Sequence, residues 1–375
     1  MKILLFYHSL LSDWNHGNAH FLRGTVKELL SRGHDVTVFE PQNSWSLENL
    51  VKDHGKQPLK EFEKYYPGLK SVSYNPTKPI EEDVFIGADL VLVHEWNDHA
   101  LVSQIGRIKI KYSFKLIFHD THHRAVSDEA GIAKYDFSNY DGALVFGDII
   151  QKIYQQKKWI SKVWTWHEAA DADLFHPING EKKGDLVWIG NWGDNERKDE
   201  LNEFLIKPVK ELGLKAKVYG VRYPDEALKA LKNAGIEYGG WLPNYKVPEV
   251  FSEYKLTIHV PRGPYVKMLP GIPTIRPFEA MACGIPLISA PWADTENLFT
   301  TGKDYLSVKN GREMTESIKY LLSDTEAANK LAAHGRKTIL ARHTCAHRVD
   351  ELENVAAALG IKDNVNSLKN KTIQI

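Results

Sequence analysis

Residues 270–291, PGIPTIRPFEAMACGIPLISAP, decide how the rest of the chain is interpreted. Pro273 and Pro277 predict a helix that starts near them, because proline fits only the first turn of a helix. Gly284 stands where a left-handed helix end is favoured, and the apolar residues after it predict a short buried strand. The order of loop, short helix and strand is typical of an α/β domain.

Arg276 and Glu279 are the charged residues of this apolar passage. They are three positions apart, so a helix places them on one face, near the end where backbone N–H groups point outward. An arginine at a helix N-terminus can bind a phosphate, and a carboxylate one turn later can accept hydrogen bonds from ribose hydroxyls. The alternative is a capping arginine that pairs with the glutamate, and spacing alone leaves both interpretations open.

The segment FEAMACGIPLIS, residues 278–289, resembles the signature of nucleotide-sugar glycosyltransferases of families 1 and 4, which have two Rossmann-like domains. The form Arg-x-Phe-Glu-Ala-x-Ala-Cys-Gly is similar to the CgeB-like (spore maturation protein) branch. In the broader retaining families a first glutamate precedes the second with seven residues between them. Gly271 occupies that position here, so the pattern is incomplete at the glutamate that usually contacts the donor sugar.

The composition of the chain limits its fold and its partners. A length of 375 residues predicts two domains, and a hydrophobic content of 43% supports ordinary globular cores. Lysine plus arginine equals aspartate plus glutamate at 48 each, which argues against a non-specific nucleic-acid binder. Cys283 and Cys345 match no metal-binding spacing and fit a reducing, cytoplasmic setting. No apolar run approaches the length of a membrane span.

Strand and helix patterns alternate in both halves of the chain, which predicts a doubly wound α/β architecture. No Gly-x-Gly-x-x-Gly follows a strand, so a dinucleotide fingerprint is absent and a dehydrogenase is disfavoured. Residues 42–83 predict only short helices and loops. The predicted strands cover residues 3–7, 36–39, 89–93, 115–118, 142–146, 163–166, 185–190, 217–220, 256–260, 287–289 and 304–308.

The segment Asp-x-x-x-Phe-x-Pro over residues 171–177 is similar to the segment that leads out of the first domain in the same superfamily. The resemblance implies the GT-B fold, in which two Rossmann-like, parallel-sheet domains face a cleft and a C-terminal helix returns to the first domain. We expect an acceptor-side domain over 1–172 and a nucleotide-sugar-binding domain over 173–345. Residues 346–375 then form the returning helix and a polar tail, disordered from Lys362.

Polar residues follow two successive strands of the first half, where ligands of open α/β sheets lie. One strand ends at His94, and the next runs into His119 and Asp120. The related glycosyltransferases carry a histidine or an aspartate there, against the sugar, so the resemblance implies catalytic roles for His119 and Asp120. The alternative is a hydrogen-bonded pair that shapes the loop. The resemblance also places Gly17 and His94 on the acceptor side.

In the second half, a strand ends in glycine, and a polar loop with a basic residue leads into a helix. This arrangement holds phosphate groups in Rossmann-like domains. The resemblance implies that a basic residue here meets the pyrophosphate, and that a later loop cradles the base with backbone groups and one side chain. The candidates for binding the nucleotide sugar are Gly190, Arg197 with Lys198 as the alternate, Trp241, Leu242, Arg262, Arg276 and Glu279.

Cleavage of a sugar–phosphate bond puts negative charge on the departing diphosphate, which a metal ion or arginines must stabilise. The sequence has no Asp-x-Asp pair beside a strand, but it has Arg197, Arg262 and Arg276. We therefore expect transfer that is metal-independent and needs no cofactor, and the resemblance implies a glycosyltransferase that retains the sugar's configuration. The donor is a nucleotide-diphosphate sugar, with a UDP-sugar favoured. The acceptor stays open among a glycan, lipid, protein, small molecule or modified DNA base.

Two other functions fit the same residues. A UDP-sugar epimerase of the same fold would use the donor site without an acceptor. A non-catalytic nucleotide-binding protein would use the site for recognition alone, which the incomplete glutamate pair leaves open. Incubation with a UDP-sugar alone separates the alternatives, because only the epimerase would produce an isomer.

Overall fold

The computed structural model describes residues 1–42, 44–193 and 196–361. The polar tail from Lys362, for which the sequence predicts disorder, lies outside these residues, as do two positions of the polar loop after Gly190. The chain divides into two compact units, and the limits at 172 and 345 stay predictions. The first unit comprises Met1–Ser12, Leu22–His167 and the chain from Cys345 onward, and the second comprises Asp13–Phe21 and Glu168–Thr344.

Within the described residues, the first unit is built on a sheet of seven strands, all paired in parallel. The strands are β1 (Lys2–Phe6), β2 (Asp35–Pro41), β3 (Ser71–Tyr74), β4 (Leu90–His94), β5 (Lys115–Asp120), β6 (Gly142–Val145) and β7 (Val163–Thr165). Their order is β3-β2-β1-β4-β5-β6-β7. Every residue of β4 is buried, as expected for a central strand that is covered on both faces.

The helices of the first unit follow the predicted alternation with the strands. The C-terminal helix, Cys345–Ala358, packs in this unit, where Nε1 of Trp166 donates to the carbonyl oxygen of Arg348 at 2.8 Å. The other helical segments are Trp45–His54, Gln57–Tyr65, Glu82–Phe85, His99–Lys109, Arg124–Ser127, Glu129–Ile132 and Asp148–Lys157. The helix Ala19–Ser31 begins in the second unit and continues into the first from Leu22.

The sheet of the second unit has six strands in the part of the chain that the structure describes, again all parallel. They are β8 (Gly184–Ile189), β9 (Ala216–Tyr219), β10 (Ile236–Tyr238), β11 (Tyr254–His259), β12 (Leu287–Ser289) and β13 (Leu306–Ser307), in the order β10-β9-β8-β11-β12-β13. Its core includes the buried side chains of Trp188, Phe204, Ile258 and Met314.

The helix predicted from residues 270–291 spans Ile275–Ala282, and its end is the one the sequence indicates. Gly284 follows with φ +65°, the left-handed conformation that glycine adopts without steric cost. The remaining helical segments of this unit are Lys198–Leu201, Asn202–Ile206, Lys207–Leu212, Asp225–Asn233, Asn244–Lys246, Val247–Ser252, Gly263–Lys267, Gly311–Ser323 and Thr325–Arg342.

The predicted strands all have counterparts in the structure, but β3 and β10 were not predicted. Both are edge strands of three or four residues, and Ile236 is their one buried side chain, so they lack the apolar run that identifies a buried strand. The prediction that residues 42–83 hold only helices and loops was therefore wrong at Ser71–Tyr74. None of the helices in the described residues has the length and apolar character that crossing a membrane requires.

Candidate active site

The start of the helix Ile275–Ala282 carries the ion pair that the spacing allows. Nη1 of Arg276 contacts Oε2 of Glu279, three residues later on the same face. Glu279 is fully buried, whereas the Arg276 side chain keeps 15% of its surface exposed. The pairing that the sequence left open is therefore present. A phosphate contact by Arg276 and a ribose contact by Glu279 stay predictions.

The Glu279 carboxylate has two further partners that sequence spacing does not indicate. Its Oε1 atom accepts from Nδ1 of His20 at 2.9 Å and from Nδ2 of Asn244 at 2.7 Å. Nε2 of the same histidine accepts from the backbone N–H of Asp171 at 2.7 Å, which assigns the ring proton to Nδ1. Three segments distant in sequence thus meet at one buried carboxylate.

The protonation state of Glu279 follows from these partners. Burial alone would raise the pKa of Glu279. The charge of Arg276 and the hydrogen bonds from His20 and Asn244 outweigh it and hold the pKa below its ordinary value. The carboxylate is therefore ionised at neutral pH, and it fixes the guanidinium group at the start of the helix.

Three arginines share this part of the second unit: Arg197, Arg262 and Arg276. Arg197 donates to two backbone carbonyl oxygens, with Nη1 at 2.9 Å from that of Val260 and Nη2 at 2.5 Å from that of Asn191. Burial, together with the positive charges of Arg262 and Arg276, lowers the pKa of Arg197 to about 10. A concentration of positive charge that lowers the pKa of an arginine favours an anionic ligand.

His259 lies at the end of β11, within the field of the same arginines. Its Nδ1 atom is 2.9 Å from Oγ of Ser289, its register partner at the end of β12. Burial and the charges of Arg197 and Arg276 lower the pKa of His259 to about 3, so the ring is neutral. Its buried Nε2 atom has no hydrogen-bond partner among the described residues, an uncommon state for a polar atom in a protein interior.

Arg262 and Trp241 are held by carboxylates. Nε of Arg262 lies 2.5 Å from Oε2 of Glu196, so this cation has a protein counter-ion. Nε1 of Trp241 donates to Oδ1 of Asp13 at 3.1 Å, and Oδ2 of Asp13 accepts from the N–H of Asn244 at 3.0 Å. Asp13 therefore fixes the segment that was predicted to cradle the nucleotide base.

The remaining candidates of this unit are Leu242, Gly190 and Gly17. Leu242 is half-buried beside the tryptophan in sequence. Gly190 follows β8, and a Cβ atom there would come within 2.8 Å of the Trp188 ring, so the strand end has no space for a side chain. Gly17 is exposed and groups with the second unit, where a Cβ atom would lie 3.4 Å from Cγ2 of Ile275. The ligand contacts of all three stay predictions.

The first unit places His94 and His119 together at the ends of β4 and β5. Both are fully buried and are register partners, with ring centroids 5.2 Å apart. Nε2 of His94 is 3.0 Å from Oγ1 of Thr121, and the His119 ring packs 4.8 Å from that of Trp166. Burial lowers the pKa of His119 to about 3. A neutral imidazole can donate or accept one hydrogen bond at each nitrogen, but it carries no charge.

Asp120 belongs to a buried network of ionisable groups. Its Oδ2 atom accepts from the Tyr154 hydroxyl at 2.7 Å, and Oδ1 accepts from the N–H of His122 at 3.0 Å. Nη1 of Arg124 lies 3.3 Å from Oε2 of the fully buried Glu95. Burial and the Asp120 charge raise the pKa of Glu95, against the effect of Arg124. The Asp120 bonds hold the loop after β5. A catalytic role for His119 or Asp120, and the alternative of a hydrogen-bonded pair, both stay predictions.

Sequence reasoning missed several residues that build these sites. Asp13 and His20 follow β1 at the carboxyl edge of a predicted sheet, which was a usable signal that we did not apply to them. The sequence offered no such signal for Asn244 or His259, because an asparagine in a turn and a histidine in an apolar strand are common. The sequence offered no signal for Glu168 either. In the structure, burial and the Glu279 charge raise the pKa of Glu168 to about 8, against the effect of the Arg276 charge.

Comparison with known proteins bears on the family and the fold of the chain. Residues 197–354 match the family model described as Glycosyl transferase-like. Solved structures with two such units superpose on almost the whole chain. The chain has the GT-B fold. This confirms the predicted fold and the predicted enzyme class, while membership of the CgeB-like branch stays a prediction.

Three solved structures illustrate what this chain is similar to in fold. HepE from Anabaena with UDP-glucose has a TM-score of 0.67 at 12% identity, over 96% of this chain and 100% of that one. Sucrose-phosphate synthase from Thermosynechococcus elongatus scores 0.62 at 14%, over 96% and 100%. An alpha-glucosyltransferase with UDP and a 13-mer DNA scores 0.66 at 13%, over 95% and 99%. The comparison with curated protein sequences gave no match.

Glu168 makes the stability of the protein depend on pH. Its pKa of about 8 lies above the ordinary 4.5, so the folded state keeps a proton that the unfolded state loses between these values. Wild-type stability therefore falls as pH rises through this range. Because a glutamine cannot ionise, the Glu168→Gln variant does not lose stability in this way. We expect its stability advantage to grow between pH about 4.5 and about 8, by on the order of a few kcal/mol.

Denaturant unfolding at several pH values measures this difference directly. Glu181→Gln, a change of an exposed glutamate in the same unit, is the matched control and should show no such trend. A Glu168→Gln curve parallel to that of the wild type across the range would contradict the prediction.

Proposed function

We propose that the protein transfers a sugar from a nucleotide-diphosphate sugar, with a UDP-sugar as the first candidate, to an acceptor bound at the first unit. The observation that carries the proposal is the set of arginines Arg197, Arg262 and Arg276 beside the start of the helix Ile275–Ala282. A helix N-terminus presents unpaired N–H groups, and together with guanidinium groups it suits a diphosphate.

A second observation supports a bound ligand there. The Nε2 atom of His259 is buried and has no hydrogen-bond partner among the described residues, and the ring lies in the field of Arg197 and Arg276. The Ser289 hydroxyl donates to the carbonyl oxygen of Ala290 at 2.8 Å, so Nδ1 of His259 holds the ring proton and donates to Ser289. The Nε2 atom can therefore accept a hydrogen bond from a hydroxyl or N–H group of a bound nucleotide sugar, which would satisfy an atom that otherwise stays unpaired.

The reaction breaks the bond between the anomeric carbon and the β-phosphate oxygen of the donor. The electron pair of that bond goes to the phosphate, while the acceptor oxygen forms the new glycosidic bond and releases its proton. Charge therefore develops on the diphosphate, where Arg276 and the helix N-terminus can stabilise it. We propose that no metal ion is required and that the configuration is retained. In the described residues no cluster of metal-ligating side chains occurs.

Ligand-dependent melting tests the donor site. UDP at about 100 times its dissociation constant should stabilise the protein by about 2.7 kcal/mol, and EDTA should not remove the effect. A panel of nucleoside diphosphates and their sugars identifies the base and the sugar. Failure of every nucleoside diphosphate to raise the melting temperature would overturn the proposal. Dependence on a divalent ion would overturn its metal-independent part.

Turnover assays distinguish sugar transfer from the two alternatives, an epimerase and a non-catalytic nucleotide-binding protein. No observation favours either alternative. With a UDP-sugar alone we expect slow release of UDP by hydrolysis, and the anomeric configuration of the released sugar, read by NMR, tests retention. An isomerised UDP-sugar would instead identify an epimerase. Binding without hydrolysis for every sugar would indicate a recognition protein. We also propose a cytoplasmic setting, supported by the buried free thiols of Cys283 and Cys345 and testable by cell fractionation.

A further inference from the structure

His259 and Trp292 lie at the carboxyl ends of β11 and β12, next to the point where the strand order of the second sheet reverses. From β8 the chain adds β9 and β10 on one side of the sheet, and β11, β12 and β13 on the other. In open α/β sheets, ligands bind beyond the carboxyl ends of the strands that flank such a point. His259 is the last residue of β11, and Trp292 comes shortly after the end of β12 at Ser289. Both side chains therefore belong to the part of this unit where a nucleotide is expected to bind.

His259 and Trp292 are connected with the arginines of the candidate site. Nη1 of Arg197 donates at 2.9 Å to the carbonyl oxygen of Val260, the residue after His259. Burial and the charges of Arg197 and Arg276 hold the pKa of the His259 ring low, which places both arginines within electrostatic reach of that ring. The Trp292 ring centroid lies 6.4 Å from that of His259, with the two ring planes at 82°. The two rings thus border the positively charged region in which we propose that the diphosphate binds.

Each of the two rings carries a buried nitrogen that has no hydrogen-bond partner among the described residues. These atoms are Nε2 of His259 and Nε1 of Trp292. His259 is only 3% exposed. Trp292 is half-buried, and its ring stacks on that of the buried Tyr305 with the centroids 6.1 Å apart. Because buried polar atoms are rarely left unpaired in proteins, we expect a ligand to supply the partners of these two nitrogens.

The two nitrogens have opposite hydrogen-bonding roles. The indole Nε1–H of Trp292 can only donate. Nδ1 of His259 donates to Ser289, whose own hydroxyl donates to the carbonyl oxygen of Ala290, so the Nε2 atom of this neutral ring can only accept. An oxygen of a diphosphate would suit Trp292 but not His259, because it has no proton to donate. Hydroxyl groups suit both nitrogens, since a hydroxyl group accepts one hydrogen bond and donates another.

We infer that Trp292 and His259 bind hydroxyl groups of the nucleotide sugar, with Trp292 as the donor and His259 as the acceptor. These hydroxyl groups come from the ribose or from the transferred sugar, which share this chemistry. The inference rests on the proposed function, because it needs a nucleotide-diphosphate sugar at this edge of the sheet. In this arrangement the arginines bind the charge of the donor, and the two rings distinguish a ligand with hydroxyl groups from one without them.

Titration calorimetry with 2′,3′-dideoxy-UDP, UDP and UDP-glucose tests the inference. The first ligand has no sugar hydroxyl group, the second has those of ribose, and the third has those of ribose and glucose. Trp292→Phe keeps an aromatic ring against Tyr305 but removes the N–H donor. We expect it to raise the dissociation constant of UDP-glucose roughly 5- to 100-fold and to change that of 2′,3′-dideoxy-UDP less than about twofold. Trp159→Phe, at a half-buried tryptophan of the first unit, is the matched control and should change none of the three affinities.

Two changes of His259 distinguish a contact with the ligand from a role in the fold. His259→Asn keeps an amide near the place of Nδ1, where it can still bond Ser289, but it has no atom at the place of Nε2. His259→Gln places its amide near Nε2 and loses the bond to Ser289. If the ring accepts from a ligand hydroxyl, UDP-glucose should bind more weakly to His259→Asn than to His259→Gln. The opposite order would show that His259 acts through Ser289 and would overturn the inference. His176→Asn, at an exposed histidine of the same unit, is the control, and melting curves check that every variant is folded.

The pattern over the three ligands identifies the source of the hydroxyl groups and separates this inference from the proposed function. A loss confined to UDP-glucose supports contacts with the transferred sugar, and equal losses for UDP and UDP-glucose support contacts with the ribose. If the wild type binds UDP and the Trp292 and His259 variants bind all three ligands as the wild type does, this inference fails alone. An equal loss for all three, 2′,3′-dideoxy-UDP included, would overturn it as well. If the wild type binds no nucleoside diphosphate, the proposed function fails, and this inference fails with it.

Discussion

Arg276→Ala should lower the rate of sugar transfer roughly 100- to 1000-fold, the range seen when one donor to a developing oxyanion is removed. The guanidinium group stands in the first turn of the helix Ile275–Ala282. In the proposed function it adds to the unpaired N–H groups in stabilising the departing diphosphate. Arg276→Lys keeps the charge but not the paired donors, so its rate should be intermediate. Single-turnover assays with a UDP-sugar measure the effect, and a variant at the wild-type rate would refute the assignment.

The same substitution also affects stability, because Glu279 is fully buried. Without Arg276 its carboxylate keeps the hydrogen bonds from His20 and Asn244 but loses its cation, at a cost of roughly 3–5 kcal/mol. The double variant Arg276→Ala with Glu279→Gln removes the buried charge, so it should recover stability without recovering the rate. Arg312→Ala, at a site 87% exposed, is the control that should change neither property.

Arg124→Ala should destabilise the first unit by roughly 3–5 kcal/mol, because it leaves Glu95 and Asp120 buried without their cation. It also removes a donor to the backbone oxygen of Glu95 at 3.0 Å. Burial already raises the pKa of both carboxyl groups, and Arg124 opposes this. Its loss should raise both pKa values further.

The pH dependence of this variant follows from that shift. Acids whose pKa is raised by folding cost stability as pH rises, so the penalty of Arg124→Ala should be larger at pH about 8 than at pH about 5. Adding Glu95→Gln to the Arg124→Ala variant should recover part of the lost stability at the higher pH. Denaturant titrations at both pH values provide the measurement, with the exposed Arg107→Ala as control. A penalty that is equal at both pH values would show that the carboxylates are not its source.

Local sequence patterns were sufficient to predict much of the architecture. The prolines before Phe278 and the glycine at 284 located one helix and its end, and continuous apolar runs located the buried strands. Edge strands such as Ser71–Tyr74 could not be predicted this way, because they are short and only partly covered. Their pairing comes from neighbouring strands rather than from their own residues.

The sites were predictable only where neighbours in sequence are neighbours in space. Arg276 and Glu279 share a helix face, so their spacing indicated contact. His20 reaches the same carboxylate from 259 positions away, and no local period reports such a contact. The same holds for Trp292, whose place beside His259 depends on the pairing of strands β11 and β12.

The grouping of Asp13–Phe21 with the second unit has a practical consequence for anyone who wishes to dissect the protein. An excised C-terminal fragment that begins at Glu168 would lack His20 and the carboxylate that holds Trp241. Even if its sheet folded, the proposed donor site would lack the hydrogen bonds that His20 makes to Glu279 and that Asp13 accepts from Trp241. A C-terminal fragment made for ligand-binding experiments would therefore need residues Asp13–Phe21 as well. They could be added as a separate peptide or fused to the fragment by circular permutation.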